Sequence, residues 1–204
     1  MKWQAVTLSA AALDRISKAA IFERRIRMDA FLDVVASVGP FRLRQMTPID
    51  LVKLEYIENN LITGKAAPDL SDYLTLIWEL RPSDEKRREK RFARFVQRNI
   101  NPFAQREIQA FVASQLNDMP SGTVKNDGGE VQKTECPSVA IASLVDQIAV
   151  EYGWPEGTIL NAPIARLLQY SQRIAKRAMG DKYAISNPIT QQARAAELKR
   201  IQDG

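Results

Sequence analysis

Apolar residues in this chain recur every three or four positions, segment after segment, and almost nowhere at every second one. Leu70, Tyr73, Leu74, Ile77 and Trp78 stand at i, i+3, i+4, i+7 and i+8, a full stripe along one side of a helix. Leu51, Leu54, Ile57 and Leu61 repeat the pattern, as do Ile141, Leu144, Val145, Ile148, Ala149 and Tyr152. Ile164, Leu167, Leu168, Ser171, Ile174 and Ala175 form another such face. No run alternates apolar and polar residues long enough for a sheet. The periodicity therefore predicts an all-α chain, an irregular multi-helix bundle.

Capping chemistry places the segments. Residues from Leu8 to about Val38 read as one helical region whose buried side carries Leu13, Ile16 and Ala20, then Phe31, Leu32 and Val35, with Gly39-Pro40 ending it. Its middle, Glu23 to Arg27, is polar on most sides, so the helix bends there or the stretch is solvated. Thr47, Pro48 and Asp50 form a start signal, and Thr63-Gly64 closes that segment. Asp69 or Ser71 opens the Leu70 stripe, which Arg81-Pro82 stops. Ser83-Asp84-Glu85 opens a charged helix, and Asn101-Pro102 starts one whose inner face is Ile108, Phe111, Val112 and Leu116. Ser138 caps the Ile141 stripe and Gly153 terminates it. Trp154-Pro155-Glu156 begins a short element ending near Leu160, and Asn161-Ala162-Pro163 precedes the last stripe.

Between Asn117 and Glu135 the composition turns to Pro, Gly, Asn and Ser. This predicts a flexible loop or linker, with a hairpin as the rival reading because Thr123-Val124-Lys125 and Glu130-Val131-Gln132 flank a turn. The organisation expected is an N-terminal helical domain (1–116), the linker (117–135), a C-terminal helix hairpin (136–185) and an exposed, partly helical tail (186–204).

The chemistry open to such a chain is narrow. It has no His and a single Cys, Cys136, so it forms no intrachain disulfide and lacks the commonest acid–base group and metal ligand near neutral pH. No Walker loop, dinucleotide fingerprint or glycine-flanked nucleophile is present. Glu55 with Glu58, and Asp69 with Asp72, sit three apart on helices, where a solvated face explains them. Tyr73, Trp78 and Trp154 read as packing residues. No catalytic, metal or cofactor residue is assigned, and a non-enzymatic protein is expected. No apolar run approaches the roughly 20 residues of a membrane span, and no signal peptide is expected.

Basic residues supply the candidate binding positions. The chain holds 29 Lys+Arg against 24 Asp+Glu, for a net charge of +5. Eight Lys/Arg against three Asp/Glu lie between Arg81 and Arg98. Wound as a helix, Arg87, Arg91, Arg94 and Arg98 share one strip, and guanidinium forks suit carboxylate or phosphate. A second zone holds Arg166, Arg173, Lys176, Arg177 and Lys182 beside Asp181. Three readings stand: a solvated face, an acidic protein partner, or nucleic acid. A helix-turn-helix around Ala149 to Gly153 is disfavoured, because Gly157 and Pro163 interrupt its would-be recognition helix.

The stretches Thr47-Pro48-Ile49-Asp50-Leu51, Leu61-Ile62-Thr63-Gly64 and Asp69 to Pro82 resemble a pattern in small helical proteins of tailed-bacteriophage genomes. They are similar to tail-assembly chaperones and accessory proteins of tail morphogenesis. Ile148 to Trp154, with Ile159-Leu160 and Pro163, resembles the C-terminal part of such proteins. The resemblance implies a helical protein of the host cytoplasm that binds another phage protein, such as the tape measure, or a second copy of itself. A structural virion component, a connector or capsid-associated protein, is the alternative, and a basic nucleic-acid-binding protein the second alternative.

Overall fold

The computed structural model describes residues 9–32, 34–116, 122–125, 131–134, 137–180 and 188–202. Among these residues the chain forms ten helices and two short hairpins, an all-α, multi-helix protein as the periodicity predicts.

The capping signals work through specific bonds. Helix α2 (Pro48–Tyr56) begins at Thr47, where side chain and backbone exchange bonds with Asp50 in a capping box. Asp50 also receives both guanidinium nitrogens of Arg44, at 2.6 and 2.7 Å. Burial raises the Asp50 pKa, but the bonds from Arg44 and Thr47 outweigh that and hold it below its ordinary 3.8.

The expected helix from Thr47 to Thr63 is two helices. It breaks at Glu58, whose φ of 55° is left-handed without being glycine. Asn59 then caps α3 (Asn60–Thr63), its side chain accepting from the Leu61 N–H. Asn59 is buried and donates to the Asp72 carbonyl at 2.8 Å, so the break is held from outside the segment.

Asp69 starts α4 (Leu70–Glu79) through a second capping box, with Asp72. Asp72 also accepts from the Asn60 backbone and side chain, at 2.9 and 3.0 Å. The Asp69–Asp72 pair is therefore a structural hub, and Asp72 is buried where a solvated face was expected. On α4 the buried apolar residues are Tyr73, Leu76 and Ile77, while Leu70 is exposed. Packing of this helix on α2 and on the later helix Glu89–Asn99 turns the stripe by about one position.

The N-terminal region departs most from expectation. Helix α1 (Ala10–Leu32) stops early, and Ala36–Val38 (β1) pairs with Phe41–Leu43 (β2) as an antiparallel hairpin. Gly39-Pro40 is its turn rather than a helix terminator. Gly39 has φ of 55°, which the first position of such a two-residue turn requires, and a Cβ there would lie only in ordinary contact with Ala104. Val38, Phe41 and Leu43 bury one face of the hairpin on the helices.

Helix α5 (Glu89–Asn99) starts later than Ser83-Asp84-Glu85, because Glu85 closes a turn onto the Pro82 carbonyl and Arg88, just before the helix, is extended. Helix α6 (Pro102–Leu116) follows, Asn101 capping it through a 2.9 Å bond to the Ala104 N–H. Within 117–135, Gly122–Lys125 (β3) pairs with Val131–Thr134 (β4). That pairing is the hairpin of the rival reading, and the rest of the expected linker lies outside the described residues. So do Cys136, Asp181 and Lys182.

Helices α7 (Pro137–Tyr152), α8 (Glu156–Leu160) and α9 (Ile164–Met179) follow the expected order, with Gly153 at φ 66° ending α7. They pack on the helices of the first half, α7 on α2 and α9 on α6. Leu51, Leu54, Leu76 and Ile108 share one buried cluster with Ile148, Ile159, Ile164 and Leu167. The Ile164 N–H donates to the Met46 carbonyl at 2.8 Å across the expected boundary. Neither segment can bury its stripes alone, so each covers the other.

Helix α10 (Pro188–Gln202) is helical, as the tail composition allows, but it packs along α1. Arg15 grips Glu197 with two bonds of 2.6 and 2.7 Å, and Glu23 accepts from the backbone and hydroxyl of Thr190. Both glutamates are buried. The Arg15 hydrogen bond holds the Glu197 pKa below its ordinary 4.5.

Candidate interaction surfaces

The predicted strip of Arg87, Arg91, Arg94 and Arg98 is not one helical strip. Arg87 precedes α5, pairs with Glu85 at 2.6 Å and folds over the Phe95 ring, 4.3 Å from its centre. Lys90, Arg91, Arg94 and Arg98 lie within α5 and are exposed. Helical geometry gathers these four on one arc, opposite the buried Phe92 and Val96. None of them has an acidic side chain within ion-pair distance among the described residues.

Arg91 also borders an open groove shared with Arg42, Lys86 and Arg88, whose acids, Asp84 and Glu85, are taken by Arg42 (3.0 Å) and Arg87. Sequence reasoning missed Arg42, since only the hairpin brings it beside the α4–α5 connection. Arg81 lies over the Trp78 ring, 3.6 Å from its centre, and bonds the Trp78 carbonyl.

The second zone is partly spent inside the fold. Arg166 donates to the carbonyls of Ala30 and Phe31, at 3.0 and 3.1 Å, and so caps the C-terminal end of α1. Arg177 pairs with Glu151 at 2.6 Å and reaches the Tyr152 hydroxyl at 3.2 Å. Lys176 is half-buried and engaged, while Arg173 is exposed. Among its described residues the zone therefore offers no continuous cationic face. Nearby, Trp154 packs back on Tyr152 and Tyr170, with ring centres 5.7 and 5.2 Å apart, in the packing role its position predicts. Tyr73 is buried as well, its hydroxyl accepting from Gln109 at 2.7 Å.

Exposed large apolar side chains cluster on α1. Leu13, Phe31 and Leu32, expected inside, are exposed, and Ile21 and Met28 join them. Among its described side chains, what α1 buries is small or charged: Ala12, Ala30 and Glu23. Ile21, Met28 and Leu32 follow at intervals of seven and four, so they share one outer side of the helix. Phe31 stands at its edge, against Tyr170 at 5.8 Å. The available signal was the spread of apolar residues around more than one side of the α1 wheel.

Among the described residues no three His, Cys, Asp or Glu side chains gather as a metal site, and no helix is long and apolar enough to cross a membrane. Compared with protein-family models, curated proteins and solved structures, the chain finds no match.

Proposed function

We propose that this chain is a non-enzymatic binding protein that covers another protein, with the outer face of α1 as the contact. The observation that carries the reading is the exposure of Ile21 (67%), Leu32 (68%) and Met28 (53%) along one side of a 23-residue helix. Contiguous apolar surface of this kind marks an interaction site on soluble proteins. An amphipathic helix laid against α1 would remove it from water. Arg24, exposed beside the apolar residues, favours an acidic segment in that partner.

Following the phage resemblance, the partner is another tail-morphogenesis protein, with the aggregation-prone tape measure the first to test, in the host cytoplasm. Co-expression with the neighbouring tail proteins should yield a soluble complex that Ile21→Asp with Met28→Asp abolishes while the fold persists. A complex that survives the double substitution removes α1 from the contact. Failure of every tail protein to associate removes the phage reading. Presence of the chain in purified particles at stoichiometric amount favours the virion component instead.

The α5 arc supports a second reading, binding of nucleic acid through Lys90, Arg91, Arg94 and Arg98. Duplex DNA affinity should then fall steeply between 50 and 200 mM salt, a range over which four phosphate contacts lose about a hundredfold. Absence of binding at low salt ends this reading.

A further inference from the structure

Helices α1 and α6 stand apart beside the first hairpin and leave a trough of about 440 Å³ whose lining includes every residue from Val34 to Val38. Hairpin geometry sets which backbone groups face it. Val38 and Phe41 close the two-residue turn as a bonded pair, so Ser37 and Arg42, opposite each other, turn their N–H and C=O groups outward. On the β2 side the same alternation sends the Arg44 N–H outward, where the Leu80 carbonyl accepts it at 2.8 Å. The β1 side has no such cover. The sheet ends at β1, and among the described residues no backbone group bonds to Ser37 there.

Two side chains ask for the same kind of ligand. Gln45 and Gln115 line the trough at 5% and 3% exposure, and the Oε1 of each lacks a donor. Buried acceptors without donors are rare in folded proteins. Their terminal amide torsions are soft, so each oxygen turns readily toward a group lying in the trough. The walls are Phe22 from α1 and Ala110 and Phe111 from α6, with Asp29 and Glu107 at the rim against the single cation Arg25. An open strand edge, unsatisfied acceptors, apolar walls and an acidic rim all describe one occupant. An extended backbone presents free N–H and C=O groups at strand spacing, whereas a helix has spent its own.

We propose that an extended peptide segment of another protein adds beside β1 as a third strand. Its backbone bonds Ser37, one N–H satisfies a glutamine oxygen, an apolar side chain sits between Phe22 and Phe111, and a Lys or Arg meets Glu107. Phe22 and Asp29 lie on a different side of α1 from Ile21 and Met28, so this site is separate from the helix face above.

The test is selection of a displayed random dodecapeptide library on the full chain. Enriched peptides should alternate apolar residues and carry Lys or Arg. Ser37→Pro removes only an outward N–H, and Ala110→Lys fills the trough from an exposed position. Each should weaken the selected peptides at least tenfold while circular dichroism and melting stay as in the parent. Hydrogen exchange at the Ser37 amide should slow when peptide is added, a readout that needs no variant. Ile21→Asp with Met28→Asp should leave peptide affinity unchanged, which separates this site from the α1 reading. Absence of enrichment, equal binding to both trough variants, unchanged exchange at Ser37, or self-association that Ser37→Pro abolishes would overturn the assignment.

Discussion

The contact between α2 and α7 and the contact between α1 and α10 are both intimate, yet they are built from opposite materials. Leu51, Leu54, Ile148 and Ile159 are sealed from water around α2 and α7. Along α1 and α10 the sealed groups among the described side chains are Ala12, Ala30, Glu23 and Glu197, and Ile21, Met28 and Leu32 of α1 turn away from the fold. The first contact draws on apolar burial and tolerates changes of pH and salt. The second draws on a few charge-assisted bonds, strong individually but dependent on ionisation. A helix held by its polar side is free to offer its apolar side to something else. That division of labour is the physical basis for placing the partner on α1.

The contrast is sharpest under truncation. Ile148→Ala should cost about 2–5 kcal/mol in denaturant unfolding, because α2, α8 and α9 cannot all collapse into the space left. A loss below 1 kcal/mol would show that the two halves of the chain are less tightly joined than their shared core implies. Asp50→Ala comes next, at about 2–3 kcal/mol, since it removes the cap of α2 and leaves Arg44 without its bidentate partner.

Glu197→Ala acts locally. Hydrogen exchange should accelerate through α10 and the facing part of α1, while the amides of α7 keep their protection. Equal acceleration in α7 would mean that the outer layer is part of the same cooperative unit.

Acid should reproduce this effect, and the sign follows from the shift. The folded pKa of Glu197 lies below 4.5, so its contribution is complete above that value and is lost as pH falls through the lower folded one. Protection of α10 should therefore decline only below about pH 4.5, with no counterpart on the alkaline side from this group, and Glu197→Gln should flatten the profile. Loss of α10 protection at neutral pH would refute this account of the contact. The smallest effect belongs to Ile21→Asp, expected within about 0.5 kcal/mol of the parent stability because the side chain is exposed. A large destabilisation there would place Ile21 inside the fold and remove the proposed contact.

Legibility followed the range of the interaction. The caps at Thr47, Asp69 and Asn101 and the stop at Gly153 were readable because each acts on backbone groups within a few residues. The helix break at Glu58 was not, since it is held by Asn59 reaching the Asp72 carbonyl thirteen residues away. Gly39-Pro40 punctuates a helix end and a hairpin equally well, and burial of Val38, Phe41 and Leu43 on the helices decided between them. The arginine strip failed for the same reason. Spacing placed Arg87 on a helix that starts at Glu89, and Phe95 and Glu85 hold Arg87 elsewhere.

Taken alone, the order of residues determined that this is an all-α protein and where most of its helices begin and end, because periodicity and capping are local. Only the tertiary structure decided which apolar faces are covered. It joined the halves on either side of 117–135 into one core, laid α10 on α1, and left the outer side of α1 and the edge of β1 open. Burial is a property of what packs against a face, and the partner that covers it stands far away in the chain, so no local pattern specifies it.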